Sequence, residues 1–514
     1  MISEKDNKIV YLIIILTCVF LSFSHSLYQV AINGGLTISE IIKYPEPLSP
    51  MKYYYHNSWT LLHQFAEILL NSGLSIDNSS RAILFLSTLC FGISSFLIVN
   101  KLTFNKYLAL LVSILMLILQ KNFGDTDYPS LIISNHSYGM LSLAITSLIF
   151  SLLINENFKL LGFFSTFLIC IHPVVGLWVL FVLTLSLILL KNRNILIKFL
   201  KGSFFGASCT LLSFIIFFQN KISKVEFETE NLNIYLEFWD GHRNTAGIIH
   251  YEYLIKSMIL FILVNVYYYF NKNKKNNFLL FFNLMIVFAS VIYLLFKFFP
   301  SFFPELFVRA MPSRFLILHS FVGWPLIISM IYQIFSGFNA TKKFIRVFIF
   351  GILIIYSVQH YKNFIKIKNE FVSNFSVKNK YKNADIFYEI SNLNLPGYFI
   401  TTTGTQAYTI RLGLKPVLID TASLDFIPYH PYLVNDVFEI LQEVYDVDLK
   451  KPPIKNNPTI PDNFTKISFE KKREEDWKFL SEKYNANYVV SPTSWNIQLN
   501  IFLQNKEFTI YKIK

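Results

Sequence analysis

Apolar runs long enough to cross a bilayer recur along this chain up to about residue 358, and they exclude a water-soluble fold for that part. The composition agrees, because 53% of the 514 residues are hydrophobic and only 15% are charged. The runs predict a polytopic α-helical membrane bundle of about eleven transmembrane helices. The predicted spans are residues 9–27, 82–100, 107–120, 137–154, 160–172, 173–190, 202–218, 251–270, 278–298, 315–335 and 344–358.

One apolar stretch, residues 160–190, is too long for a single span and is interrupted only by His172-Pro173. Proline lacks a backbone donor and disfavours helix in the residue before it. We therefore predict two spans that meet at this dipeptide. The first run, residues 9–27, ends without a small-x-small cleavage pattern, which favours a retained helix over a signal peptide.

The net charge of +13 comes from short basic clusters between the apolar runs, which indicate membrane topology rather than nucleic-acid binding. Basic residues concentrate in the cytoplasmic loops of membrane proteins. This rule predicts a cytoplasmic N-terminus, outer loops at residues 28–81, 121–136, 219–250 and 299–314, and an extracytoplasmic C-terminal part. The residues assigned to the cytoplasm are Lys5, Lys8, Lys101, Lys106, Lys159, Lys191, Arg193, Lys198, Lys201, Lys272, Lys274, Lys275, Lys342, Lys343 and Arg346.

The C-terminal part, residues 359–514, has no run of span length and alternates short apolar strands with helices. This pattern predicts a soluble α/β domain with a small, mostly parallel sheet. We expect the domain to fold alone when the chain is cut near residue 380. All four cysteines lie in the predicted bundle, so neither a disulfide nor a zinc cluster is expected in the domain.

Two glutamates of the first outer loop, Glu40 and Glu46, are candidate catalytic residues. A carboxylate there could act as general base on an acceptor hydroxyl or hold a divalent cation on a phosphate. The simpler interpretation is a solvated acidic residue beside prolines.

The second outer loop carries Asp125 and Asp127, followed by His136 at the entry to the next span. Two carboxylates at this spacing suit Mg²⁺ or Mn²⁺ better than zinc, although Asp-x-Asp is also a common turn. Asp125 is in addition a candidate general base. His136 and His172, both at outer helix ends, are expected to line an outward-facing cavity.

The third and fourth outer loops supply further polar groups near the membrane surface. An arginine at that depth needs an anionic partner, which could be a lipid-linked phosphate or an ordinary phospholipid headgroup. No nucleophile elbow, phosphate loop or metal signature is present in the sequence. The candidate substrate-binding residues of these loops are Asp240, His242, Arg243, Arg309 and Arg314.

Several short stretches, together with this plan, resemble the GT-C class of membrane glycosyltransferases, which use polyprenyl-phosphate-linked donors. They are the long outer loop after the first span, Ile171-His172-Pro173-Val174-Val175-Gly176-Leu177-Trp178, and the segment from Arg309 to Arg314. The others are Arg411-Leu412-Gly413-Leu414-Lys415-Pro416-Val417-Leu418-Ile419-Asp420 and Tyr488-Val489-Val490. More narrowly, the chain resembles bacterial polytopic membrane proteins of that plan.

The resemblance implies transfer of a sugar from a polyprenyl-phosphate donor to an acceptor at the outer face of a bacterial inner membrane. It also implies an essential acid early in the first outer loop, where only Glu40 or Glu46 could serve, because no Asp lies between Leu27 and Asp77. In this scheme Glu46 or Asp125 would deprotonate the acceptor, Asp127 would hold any metal, and Arg309 and Arg314 would neutralise the lipid phosphate. The alternatives are a transporter or flippase, and a scaffold of unknown ligand.

Overall fold

A computed structural model describes the chain except for residues 1–3, 25–27, 121–122, 124–132, 223–228, 242, 244–250, 271–276, 305–306, 308, 338–350, 352–353, 356, 363–364, 366–367, 370–382 and 423. Within the described part, helices dominate as far as residue 337. They are α1 Glu4–Ser24, α2 Ala31–Ile38, α3 Pro50–Asn57, α4 Leu61–Asn71, α5 Ile76–Thr103, α6 Lys106–Leu119, α7 Ser137–Ile154, α8 Phe158–Ile171, α9 Pro173–Leu189, α10 Arg193–Asn220, α11 Thr229–Phe238, α12 Tyr251–Phe270, α13 Asn277–Phe298 and α14 Ser320–Gly337.

Ten of the eleven predicted spans coincide with described helices, and most of the eleventh, 344–358, lies outside the described residues. The predicted break is confirmed, since α8 ends at Ile171 and α9 begins at Pro173. Among described helices, five are long and apolar enough to cross a membrane, and four shorter ones are also apolar. The number of spans therefore stays a prediction.

The surface of α10 shows which solvent the bundle faces. Phe204, Phe205 and Phe218 are 70%, 66% and 65% exposed. A continuous band of large exposed hydrophobic side chains along a helix is typical of a lipid-facing surface.

Helices α8 and α10 pack unusually closely through three glycines. A Cβ on Gly162 would overlap the carbonyl oxygen of Phe199, and one on Gly202 would overlap that of Lys159. Gly206, four residues after Gly202, lies equally close to Phe163. This is the small-xxx-small spacing by which membrane helices bring their backbones into contact.

Replacing Gly202 by Leu should push α8 and α10 apart and lower the free energy of unfolding by about 1–3 kcal/mol. The measurement is thermal unfolding of the purified protein in detergent. Gly351→Leu is the matched control, because a Cβ at Gly351 meets no atom within 4 Å. Equal melting temperatures for both variants would contradict this packing.

Hydrogen bonds tie segments together at each of the two ends of the bundle. At one end, Asn155 donates to the carbonyl oxygen of Leu97 (3.4 Å), and Gln333 donates to that of Leu102 (2.5 Å). These groups lie near the basic loops assigned to the cytoplasm. At the other end, the amide of Val30 donates to the carbonyl oxygen of Asn135 (3.0 Å), which joins the first two outer loops.

We expect a C-terminal alkaline phosphatase fusion to be active and a C-terminal fluorescent protein fusion to be dark, because the basic loops predict an extracytoplasmic C-terminus. Fusions to residue 514 in growing cells give the measurement. The opposite pattern would mean that the two sides have been exchanged.

A four-stranded sheet organises the C-terminal part, in the order β1-β2-β4-β3. Strands β1 and β2 are parallel, whereas β4 pairs antiparallel with both β2 and β3. The strands are β1 Tyr398–Thr401, β2 Ala486–Pro492, β3 Asn500–Gln504 and β4 Phe508–Lys512, and the helices are α15 Asp385–Ser391, α16 Gln406–Arg411, α17 Val434–Tyr445, α18 Asp462–Lys471 and α19 Glu474–Tyr484.

The prediction of a mostly parallel sheet is wrong, because two of the three strand pairings are antiparallel. The strand expected at 416–420 forms only an isolated parallel bridge between Val417 and Phe399. The unpredicted β3 is largely exposed, and its apolar run is only three residues long, between Asn500 and Gln504. It joins β4 through a short turn in which Asn505 accepts from the amides of Glu507 and Phe508 (2.9 and 2.8 Å), as antiparallel neighbours allow.

The main hydrophobic core of the C-terminal part includes residues from two outer loops. We call this cluster the outer core. Trp239 is fully buried in it and donates from its indole nitrogen to the carbonyl oxygen of Leu449 (2.8 Å). The loop residues of the outer core are Met51, Tyr55, Leu232, Tyr235 and Trp239.

The loop of residues 450–463 also depends on the third outer loop. The amide of Asn456 donates to the carbonyl oxygen of Phe238 (3.0 Å), and a Cβ on Gly241 would overlap the carbonyl oxygen of Asn456. The C-terminal part and the outer loops thus form one packed unit. This arrangement argues against a domain that folds alone.

Candidate functional site

A cavity of about 50 Å³ lies where the outer ends of the helices meet the C-terminal part, with room for a few water molecules. Its polar lining residues include His172 and Arg314, and most of the remainder are apolar. Tyr429 from the C-terminal part forms one wall. The lining residues are Gly139, Ser142, Leu143, His172, Val174, Val175, Ala310, Met311, Arg314, Phe315, Ile317, Leu318 and Tyr429.

Local sequence explains how the two polar residues reach this cavity. His172 has extended backbone geometry because Pro173 follows it, and its Nδ1 accepts from the amide of Val175 (3.5 Å) at the start of α9. Arg314 lies in a 3-10 helix, Pro312–Ile317, that begins after Met311 in the left-handed region at φ 51°. The 3-10 helix that follows packs mainly against α13, and its Phe315 also contacts Trp178 of α9.

An aromatic path leads from the cavity towards lipid. Phe315, in the cavity wall, stacks on Trp178 with ring centroids 4.3 Å apart. Trp178 contacts Phe181 (6.2 Å), which is 55% exposed on the surface of α9. A ligand with a charged head and an apolar tail would match this order of surfaces.

Asp240 and Arg243, predicted to bind substrate, pair with each other beside the cavity. The Arg243 guanidinium lies 2.5 Å from the Asp240 carboxylate, and both side chains are almost completely buried. Burial alone would lower the pKa of Arg243, but Tyr429 and the Asp240 carboxylate outweigh it and raise that pKa. Arg243 therefore remains charged at every physiological pH.

Arg309 is in contact with this ion pair through its backbone. Its carbonyl oxygen accepts from Nε of Arg243 (3.2 Å). Arg309 itself does not line the cavity, whereas Arg314, five residues later, does. The two arginines predicted to neutralise a lipid phosphate therefore lie in one segment, but Arg314 lines the cavity and Arg309 contacts Arg243 through its backbone.

The first outer loop docks on the C-terminal part. The hydroxyl of Tyr398 in β1 donates to the carbonyl oxygen of Pro45 (2.7 Å) and accepts from the amide of Ser49 (2.9 Å). Burial raises the pKa of Tyr398 to about 12, so it stays protonated. Asn485 donates to the carbonyl oxygen of Glu46 (2.9 Å). The loop is therefore fixed against one edge of the sheet.

The candidate catalytic residues Glu40 and Glu46 are both exposed in this docked loop. Glu40 has a left-handed backbone at φ 57°. Burial lowers the pKa of Lys52, and the negative charge of Glu40 partly offsets this effect. Neither glutamate lines the cavity. His136 is also exposed and precedes α7 without capping it through its side chain.

Two buried histidines, not selected from the sequence, lie between the bundle and the C-terminal part. Nε2 of His63 lies 2.7 Å from the hydroxyl of Tyr138, and Nε2 of His430 lies 2.9 Å from Oγ of Ser58. Burial lowers the pKa of His63 to about 3 and that of His430 to about 4, so both are neutral. The available signal was that His63 and His430, like the other histidines, map to the predicted outer loops, outer helix ends or C-terminal part.

Asp125, Asp127 and His242 lie outside the described residues. Their roles, including the Mg²⁺ or Mn²⁺ site at Asp125 and Asp127, therefore stay predictions. Within the part of the chain that is described, three or more His, Cys, Asp or Glu side chains do not gather as a metal site would require.

The structure thus brings His172 and Arg314 together, with Arg309, Asp240 and Arg243 beside them. Glu40 and Glu46 belong to the same outer face but to a different contact. The expectation that Glu46, Asp125, Asp127 and Arg309 share one site stays a prediction.

Two solved structures are similar to the whole chain. The apo oligosaccharyltransferase of Archaeoglobus fulgidus is 10% identical, with 95% of this chain and 70% of the other covered at a TM-score of 0.44. ArnT from Cupriavidus metallidurans bound to undecaprenyl phosphate is also 10% identical, with 100% and 99% covered at a TM-score of 0.48. No protein family and no curated protein matches.

Neither structure reaches a TM-score of 0.5 with this chain, so neither supports an assignment of fold, site or reaction.

Proposed function

We propose that the protein is a membrane glycosyltransferase that transfers a sugar from a polyprenyl-phosphate donor to an acceptor at the outer face of a bacterial inner membrane. The observation that supports it best is the cavity in which Arg314 and His172 stand among apolar side chains at the outer helix ends. A guanidinium in such surroundings favours an anion, and a phosphate fits its donor fork. The aromatic path through Trp178 and Phe181 suits the attached apolar chain.

In this reaction the bond between the anomeric carbon and the phosphate oxygen breaks, and the phosphate leaves with the electron pair. The acceptor oxygen forms the new bond to the anomeric carbon and gives its proton to a carboxylate. Arg314, with Arg309 in the same segment, would stabilise the charge that develops on the leaving phosphate. Glu46, Glu40 or Asp125 would accept the proton, and Asp127 would hold a metal if the reaction needs one.

The main alternative, a transporter, receives less support from the described residues. Ion-coupled transporters place ionisable groups along a path through the bilayer. Among the described residues, the one buried acid is Asp240, which lies in an outer loop and is paired with Arg243.

Replacing Arg314 by Gln should weaken binding of undecaprenyl phosphate by about 10- to 100-fold, because a hydrogen bond to a charged group contributes about 1.5–3 kcal/mol. The measurement is a titration of the purified full-length protein in detergent. Arg193→Gln is the control, since Arg193 is an exposed arginine near the opposite end of the bundle.

The same titration with phosphatidylglycerol separates a polyprenyl phosphate site from a general affinity for headgroups. We expect phosphatidylglycerol to bind weakly, and Arg314→Gln to leave that affinity unchanged. Equal affinity for both lipids, or an Arg314→Gln protein that binds undecaprenyl phosphate normally, would contradict the proposed function.

A further inference from the structure

The buried guanidinium of Arg243 joins three segments that are distant in sequence. It pairs with Asp240 of its own loop at 2.5 Å and donates through Nε to the carbonyl oxygen of Arg309 (3.2 Å). It also lies over the ring of Tyr429, 4.6 Å from the ring centroid. One side chain thus contacts the third outer loop, the fourth outer loop and the C-terminal part.

Neither Arg243 nor Asp240 lines the cavity, but the other two partners of Arg243 lead directly to it. Tyr429 is itself a wall, and Arg309 is followed by the lining residues Ala310 and Met311 and then by Arg314. The left-handed backbone of Met311 is unfavourable for a residue with a side chain, so this turn needs support from its surroundings. The hydrogen bond from Arg243 supplies that support two residues earlier.

Lysine could not replace Arg243 in this position. The planar guanidinium stacks on an aromatic ring while its edge donates to a carboxylate and a carbonyl group. An ammonium group is a single point of charge on a flexible chain. The contacts seen here therefore need the shape of arginine as well as its charge.

We propose that Arg243 is a positioning residue for the cavity that contains His172 and Arg314, which we call the anion cavity. It holds Tyr429 and the turn before Arg314 in place. The inference rests on the proposed function, because it concerns the same cavity. It adds that the C-terminal part completes the phosphate site through Tyr429. Arg243 itself does not contact the substrate.

Tyr429 is the most informative residue to change, because the Asp240–Arg243 pair remains intact. Tyr429→Leu keeps an apolar wall but removes the ring, and should weaken undecaprenyl phosphate binding by about 5- to 10-fold. Tyr429→Phe restores the ring and should recover most of the affinity that Tyr429→Leu loses. Arg243→Lys keeps the charge and should resemble Tyr429→Leu.

Salt dependence distinguishes positioning from direct contact. Titrations of the full-length protein at low and high salt should show that Tyr429→Leu and Arg243→Lys keep the salt dependence of the unchanged protein, since Arg314 is still present. Arg314→Gln should lose most of it. Thermal unfolding of each variant shows whether a loss of affinity is only a loss of folded protein.

Each outcome separates the two proposals. If Arg314→Gln weakens binding while Tyr429→Leu and Arg243→Lys bind normally, the positioning role is wrong and the proposed function stands. If Arg314→Gln also binds normally, the anion cavity itself is wrong. If Tyr429→Phe binds as weakly as Tyr429→Leu, the ring does not act through Arg243 and the inference fails.

Discussion

Replacing Asp240 by Ala should lower the free energy of unfolding by about 3–5 kcal/mol, because Arg243 would be left buried without its carboxylate. Both side chains are almost completely buried, so water cannot take the place of the lost partner. The measurement is thermal or denaturant unfolding of the full-length protein in detergent. A change of this size removes a large part of the stability of a typical protein.

The matched control is Asp448→Ala. Asp448 and Lys451 form an ion pair with the same spacing of three residues, but Lys451 is 84% exposed and Asp448 is 57% exposed. Such a pair contributes about 0–1 kcal/mol, so this variant should melt almost normally. The double variant Asp240→Ala/Arg243→Met should recover part of the loss, because the unpaired charge is gone. Equal effects of both single variants would show that burial of the pair is irrelevant.

The isolated segment of residues 383–514 should fail to unfold cooperatively, in contrast to the expectation from sequence alone. Its core would lack the five loop residues of the outer core. The carbonyl oxygens of Leu424 and Leu449 would lose their bonds from Tyr235 and Trp239. Large apolar side chains at these positions contribute about 3–5 kcal/mol each when buried.

Calorimetry and binding of a hydrophobic dye to the purified segment give the measurement. In the full-length protein, Trp239→Ala should cause a large loss of stability, because the outer core depends on this loop residue. Trp178→Ala, at a half-buried position of the bundle, serves as the comparison and should affect the outer core less. A sharp melting transition of the isolated segment would mean that its own strands and helices suffice.

Much of the bundle could be predicted from sequence because a membrane span is a local property. An apolar run, a proline and a basic cluster each act within a few residues, so Pro173 alone marks the break between α8 and α9. Asparagine side chains that cap helices are equally local. Asn105, Asn157 and Asn192 each accept from the amide three residues later.

The site was predictable only in part, because it depends on contacts between distant segments. His172 was selected for its position at an outer helix end and Arg314 as a cation of the fourth outer loop, and they do share a cavity. Nothing in the sequence distinguishes Arg243, which is committed to a buried pair, from Arg314, which lines the cavity. Tyr429 has no local signal, since its role follows from where the C-terminal part docks.

The outer core also bears on the order in which the protein is assembled. A ribosome adds roughly 5–20 residues per second, so Trp239 is synthesised tens of seconds before the last strand, Phe508–Lys512. During that time Trp239, Tyr235 and Leu232 have no core to enter. The outer core can therefore form fully only after Phe508–Lys512 has been synthesised, and until then its early loop residues remain exposed.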